Sequence, residues 1–142
     1  MNEMVIADAG PLVAYLDRSD AHHAWARDQM ARLTEPLITC EAVMAEAWHL
    51  LRRGRIDPDH LLALVHQGAL IVAFDFMKET EAIRTLIHRC RNVPMSLADA
   101  CLVRLSEKHE NCRIFTTDSD FIIYRRHGRR TIPLLAPFAS AS

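Results

Sequence analysis

The stretch EMVIADAGPLVAYL, residues 3–16, decides how the rest of the chain is read. Glu3 to Ala7 is a short apolar run that ends at Asp8, and Gly10-Pro11 follows at once. An apolar run of that length predicts a buried strand. Proline is favoured in a first helical turn, where its missing N–H needs no partner, so LVAYLD reads as a helix. A strand that passes through an acid into a helix is the first half of a βα crossover.

The same alternation continues outward. Asp20 is expected to cap a helix through AHHAWARDQMARL, Pro36 to Thr39 forms a second strand, and Cys40 to Arg53 is a strong helix with Gly54 as its C-cap. Asp57-Pro58 opens a helix through LLALVH that stops at Gly68, and Ala69 to Phe74 is the clearest buried strand in the pattern. A long amphipathic helix with Ile83, Leu86, Ile87 and Cys90 on one face ends before Asn92-Val93-Pro94. Ser96 caps the next helix, LADACLVRLSEKH. Cys112 to Thr116 is a fourth strand, followed by a short helix around Phe121 to Arg126 and a last strand near Arg130 to Leu134. Strands separated by helices, without hairpin turns, predict an α/β fold: a parallel sheet with helices on both faces, as one domain over residues 1–142. In such sheets a site forms beyond the carboxyl ends of the strands, at the topological switch point.

Composition narrows the classes of function. Of 142 residues half are hydrophobic and a quarter charged, which excludes general disorder. Lys plus Arg number 17 against 18 Asp plus Glu, a net charge of −1 that argues against a strongly basic coat for nucleic acid. It leaves a nucleic-acid enzyme open, because net charge does not report how charge is distributed. No apolar run approaches 18 residues, so no membrane span is expected. The opening MNEMVIADAG lacks a basic region followed by a long apolar one, so no signal peptide is expected. Cys40, Cys90, Cys101 and Cys112 form no C-x-x-C pair, which points to reduced cysteines in a cytoplasmic protein and away from a zinc ribbon.

Four acids fall at the predicted carboxyl edge. Asp8 closes the first strand, Asp118 follows the fourth, and Asp99 lies in the first turn of the helix that Ser96 starts. Glu46 sits about six residues into its helix, roughly 9 Å along the axis, within reach of a long side chain. Each of the three aspartates also has a purely structural reading as a helix cap, and Ser96-Leu97-Ala98-Asp99 looks like a capping box. Glu46 is different: Ala42, Val43 and Leu50 are its helical neighbours, an apolar face where an ionised carboxylate calls for a cation from elsewhere. A buried arginine or a protonated glutamate is the alternative. Carboxylates gathered at one edge repel and raise one another's pKa unless a divalent ion neutralises them. An all-oxygen donor set selects Mg²⁺ or Mn²⁺, which activate water and stabilise charge on a phosphodiester. A D-x-D phosphatase motif is absent after the first strand, as are the paired acids of a receiver domain and any phosphate-binding glycine loop.

Taken together, Asp8-Ala9-Gly10-Pro11-Leu12-Val13-Ala14, Glu41-Ala42-Val43-Met44-Ala45-Glu46, Ser96-Leu97-Ala98-Asp99-Ala100 and Thr116-Thr117-Asp118-Ser119-Asp120-Phe121 resemble, in order and spacing, the PIN domain, and within it the VapC-type toxin ribonucleases. The resemblance spans nearly the whole chain. It implies a three-layer α/β/α fold with about five parallel strands. It implies that Asp8, Glu46, Asp99 and Asp118 form a metal-binding catalytic quartet, with Asp120 as a further ligand and Thr116 orienting the cluster. The implied activity is Mg²⁺- or Mn²⁺-dependent hydrolysis of RNA by water, by the toxin of a toxin–antitoxin pair. The implied partners are an antitoxin and a second copy of the chain. An antitoxin-independent nuclease of RNA processing or decay, or a weakly catalytic PIN-like binding module, is the alternative. One departure stands out: Ala9 occupies a position where many relatives carry Ser or Thr, which removes a hydroxyl next to the first acid.

Fifteen of the 17 basic residues are arginine, the side chain suited to forked phosphate contacts. The clusters Arg52-Arg53-Arg55, Arg84-His88-Arg89-Arg91 and Arg125-Arg126-His127 read first as solvated helix ends. Arg125 and Arg126, directly after the site helix, are the foremost candidates for contact with substrate phosphate. Trp25 and Trp48 are expected to pack in the core.

Overall fold

A computed structural model describes residues 2–139. The elements run β1 (Met4–Ala7), α1 (Ala9–Leu16), α2 (His23–Arg32), β2 (Leu37–Thr39), α3 (Glu41–Arg53), α4 (Asp59–His66), β3 (Leu70–Val72), α5 (Phe76–Arg89), α6 (Leu97–Glu107) and β4 (Cys112–Phe115). A 3₁₀ turn (Ser119–Ile122), the two-residue strands β5 (Arg125–Arg126) and β6 (Arg130–Thr131), and β7 (Leu134–Leu135) complete the chain. The main sheet has the order β3-β2-β1-β4-β7 and is parallel throughout, with Ile6 opposite Ile38 and Ile114, and Phe115 opposite Leu135. The five-stranded α/β architecture expected from the alternation is present.

Right-handed crossovers account for the layers. Going from β1 to β2 to β3 moves the chain one way across the sheet, and α1 to α4 pack together on one face. The return from β3 past β1 to β4 carries α5 and α6 over the other face, where they pack on each other. The switch point therefore lies between β1 and β4, and it places Asp8 and the Thr116–Asp118 segment side by side. The central strands are buried through Val5, Ile6, Ala7, Ile114 and Phe115, as a doubly covered sheet demands.

Several local expectations are corrected. β3 spans three residues rather than six and is an edge strand, with Leu70 buried but Ile71 44 % exposed, because a sheet margin is covered on fewer sides. Helix α2 begins after His22, while Asp20 receives the His22 N–H in the preceding turn and caps no helix. Gly54 is the C-cap of α3 as expected, but at φ −80°; the left-handed position falls to the next residue, Arg55 (φ 62°). The expected helix over Phe121 to Arg126 is a single 3₁₀ turn, and a small antiparallel hairpin, β5–β6, follows around His127 and Gly128, both at positive φ. Trp48 is 37 % exposed, whereas Trp25 packs on Phe115 with ring centroids 5.3 Å apart.

Candidate active site

Asp8 leaves β1 in an extended conformation and caps α1. Its Oδ1 accepts the Ala9 N–H at 2.8 Å and its Oδ2 accepts the Thr116 hydroxyl at 2.7 Å. The Thr116 hydroxyl, fully buried, also accepts the Asp118 N–H at 2.9 Å, so one side chain ties the ends of β1 and β4 together. Position 9 offers only its backbone, and Thr116 supplies the hydroxyl on Asp8. Gly10 lets α1 approach closely: a Cβ there would run into the Thr117 hydroxyl.

Asp118 caps the 3₁₀ turn through the Asp120 N–H at 2.9 Å, and Phe121 anchors that turn in the core. Asp120 lies half-buried in the first turn of the same element. Asp99 forms the expected capping box with Ser96, and its Oδ2 also accepts the Tyr124 hydroxyl at 2.8 Å. The structural readings of the three aspartates as caps are thus correct, and they hold alongside any chemistry, since each cap also aims a carboxylate.

Glu46 requires a correction. The buried stripe of α3 is Val43, Ala47 and Leu51, and Glu46 lies on its flank with an exposed side chain rather than on the apolar face. Among the described residues it has no hydrogen bond or ion pair, so the buried arginine weighed as an alternative does not occur. Its charge nevertheless meets the cluster.

Electrostatics joins these residues. Burial, with the charges of Glu46 and Asp99 adding to it, pushes Asp8 up to about 6 against the lowering effect of its two hydrogen bonds. Burial and the Asp118 charge raise Asp99, and burial with the charges of Asp99 and Asp118 raises Glu46. None of Asp8, Glu46, Asp99, Asp118 or Asp120 has an ion-pair partner among the described residues. The donor set is all oxygen, as a hard divalent ion prefers. Among the described residues no three acids, histidines or cysteines stand close enough to enclose an ion.

Two residues at this edge had no place in the sequence reading. Tyr124, 2 % exposed, directs its hydroxyl at Asp99 and at the Pro94 carbonyl (2.5 Å) and stacks edge-on with Phe121. Its only sequence signal is the i, i+3 spacing from Phe121. Thr39, fully buried, donates to the Ala7 carbonyl at 2.8 Å and ties β2 to the strand that ends at Asp8.

The reading of Arg126 as a phosphate contact is overturned. Arg126 is 2 % exposed, and its guanidinium donates to the carbonyls of Ser106 (3.0 Å), Glu110 (3.2 Å) and His109 (3.4 Å). These groups lie in and just after the last turn of α6, and a cation there satisfies orphan acceptors at the negative end of the dipole. Arg125 is exposed but folds Nη1 back onto the carbonyls of Ile122, Ile123 and Tyr124. On the other side of the cluster, a cleft of about 430 Å³ runs between α1 and α3 from Gly10 and Thr117 to Arg53 and His22.

The comparisons with known proteins bear on this arrangement. The PIN domain family model matches residues 5–126, which contain all five acids. In the solved structures the fold is similar to the crystal structure of Mycobacterium tuberculosis VapC20, described as a sarcin–ricin-loop-cleaving toxin, with a TM-score of 0.72 and 20 % sequence identity over 82 % of this chain and 91 % of that one. No curated protein sequence matches. With a family match over most of its length and the acids at the switch point of the expected sheet, the chain belongs to the PIN domain family.

Proposed function

We propose that the chain is a Mg²⁺- or Mn²⁺-dependent endoribonuclease, acting as the toxin of a toxin–antitoxin pair. The observation that carries this reading is the set of acids at the switch point, Asp8, Glu46, Asp99 and Asp118: burial and neighbouring carboxylates raise Asp8, Glu46 and Asp99, and among the described residues no Lys or Arg is paired with any of the four. A structural network of this size would be expected to include an arginine or lysine. A divalent ion bound there supplies water activation and neutralises charge on the phosphodiester.

The chain's own residues do the rest. Asp8 and Asp99 are aimed by caps and hydroxyls that leave neither free to rotate. Glu46, exposed and without a hydrogen-bond or ion-pair partner among the described residues, is the acid best able to move toward an ion or a reacting water. Asp118 and Asp120 add negative charge at the same edge, and Thr116 holds Asp8 and the Asp118 backbone in register. Arg53, at the far end of the adjoining cleft, takes over from Arg126 as the candidate for holding substrate phosphate.

The fold likeness to VapC20, itself a toxin that cleaves the sarcin–ricin loop, supports the toxin assignment. The partners that follow are RNA as substrate, a cognate antitoxin as inhibitor and a second copy of the chain. Cytoplasmic action follows from the same reading; among the described residues no helix is long and apolar enough to cross a membrane.

The test is Mn²⁺-dependent cleavage of RNA by the wild type and by Asp8→Asn and Asp99→Asn, with circular dichroism to confirm folding. Both variants are expected to be folded and inactive; undiminished cleavage by either would remove the acids from the mechanism. Growth arrest on expression, relieved by the product of a small neighbouring gene, tests the toxin assignment.

A further inference from the structure

A second cavity, of about 390 Å³, opens on the other side of the acids, where β2, β3, α3, α5 and α6 present their ends. Phe74 and Phe76 line it together with Leu97 and Cys101 of α6 and Cys40 and Glu41 at the start of α3. Its size is in the range of small-ligand sites, and its lining is mainly apolar, with Glu41 as its carboxylate. Phe76 is 42 % exposed and Leu97 is 50 % exposed, and among the described residues no aromatic ring pairs with either phenylalanine.

The position of the cavity indicates its occupant. Ile6 pairs with Ile38 and Thr39 bonds the Ala7 carbonyl, so Cys40 on the cavity wall stands beside Asp8 where β1 and β2 end, and the cavity borders the acids there. A molecule whose phosphate rests over the acids therefore extends into this cavity with whatever group adjoins the phosphate. On an RNA strand that group is a ribose bearing a base, and unpaired bases are held by stacking on exposed aromatic rings. Glu41 is an acceptor in the first turn of α3, and its charge reaches Cys101 on the cavity wall. A carboxylate accepts from the amino groups of adenine, cytosine and guanine, which uracil lacks.

We propose that this cavity seats one unpaired nucleobase next to the scissile phosphate, stacked on Phe76, with Glu41 accepting a hydrogen bond from the base's amino group. The proposal rests on the ribonuclease reading and adds a determinant of which strand position is cut. Phe76 acts by positioning the strand and takes no part in the chemistry.

The experiment uses the full chain and short single-stranded RNAs that carry 2-aminopurine at one position. Binding is read by fluorescence without metal, so that it is separate from cleavage, and KM and kcat are read with Mn²⁺. Quenching is expected at one position beside the cut site, weakened about ten-fold by Phe76→Ala and retained by Phe76→Trp, with the cleavage defect confined to KM. An abasic nucleotide at that position is expected to impair the wild type and leave Phe76→Ala little changed. Glu41→Gln is expected to narrow the preference for amino-bearing bases over uracil. Cleavage by the wild type without position-specific quenching, or with full binding by Phe76→Ala, overturns the subsite and leaves the ribonuclease reading intact. Quenching that depends on Phe76 in a protein that does not cleave supports the subsite and defeats the ribonuclease reading. Unchanged RNA binding by Phe76→Ala, with weaker self-association in sedimentation, assigns the cavity to protein contact and overturns the proposal.

Discussion

At the carboxyl edge of the sheet Asp8 and Asp99 are buried among other acids with no ion pair among the described residues, whereas between α5 and α6 Glu79 is buried against Arg104 at 2.6 Å and Lys108 at 3.2 Å. Arg104 also holds Glu107, which in turn accepts the His127 N–H at 2.7 Å. The chemical group is the same and the surroundings are opposite. Hydrogen bonding and the charges of Arg104 and Lys108 hold Glu79 below its ordinary value, while burial and neighbouring carboxylates raise Asp8, Asp99 and Glu46. The charge of Glu79 is balanced by the chain's own cations, and that of the acids at the carboxyl edge is not.

The two regions therefore depend on pH with opposite sign. A carboxyl raised from 3.8 to about 6 binds its proton more tightly folded than unfolded, so the stability from Asp8 is present at low pH and is lost as pH rises through about 6. Glu79, lowered from 4.5, contributes stability above its unfolded value that is lost as pH falls through its folded one. Near neutral pH, keeping Asp8 ionised without a cation costs on the order of 3 kcal/mol.

The contrast breaks first on activity. Asp8→Asn is expected to lower Mn²⁺-dependent RNA cleavage by about 10³-fold or more, and the same substitution is expected to make the metal-free protein more stable at pH 7, by up to about 2 kcal/mol in urea unfolding. Loss of stability in that variant would show that Asp8 is held mainly as a cap. Next, Arg126→Ala is expected to cost about 3 kcal/mol, because it strands the carbonyls after α6; a change in the salt dependence of RNA binding at unchanged stability would return Arg126 to the substrate surface. Glu79→Gln makes the same change of carboxylate to amide as Asp8→Asn and is expected to act the other way, destabilising by about 1–2 kcal/mol with cleavage intact. The smallest effect is expected of Tyr124→Phe, a loss of about ten-fold in cleavage at nearly unchanged stability. Equal activity in that variant would reduce Tyr124 to packing.

Strand and helix order, the parallel sheet and the position of three aspartates at its edge were legible in the sequence, because each rests on local pattern: an apolar run, an acid at its end, a cap. The exposure of Glu46, the edge position of β3 and the role of Arg126 were not. Glu46 has apolar neighbours at helical spacing, yet the centre of the buried stripe is set by what α3 packs on, and that places Glu46 on the flank. Ile71 is apolar but outermost, a fact of sheet order rather than of sequence. Arg126 follows the site helix in the chain, but the hairpin turns it toward the end of α6, about 20 residues back in sequence, where unpaired carbonyls hold it. Tyr124 escaped notice for the same reason, since its partner Asp99 lies 25 residues away.

The central proposal is that the acids at the carboxyl edge bind a divalent cation. Thermal unfolding of the wild type and Asp8→Asn with and without Mn²⁺, from pH 5 to 8, tests it most directly. At a hundred-fold excess over Kd the ion is expected to stabilise the wild type by about 2.7 kcal/mol near pH 7.5, with the gain shrinking as pH falls through 6 and absent in Asp8→Asn. No Mn²⁺ effect on the wild type, or an equal effect on both proteins at every pH, would contradict the account.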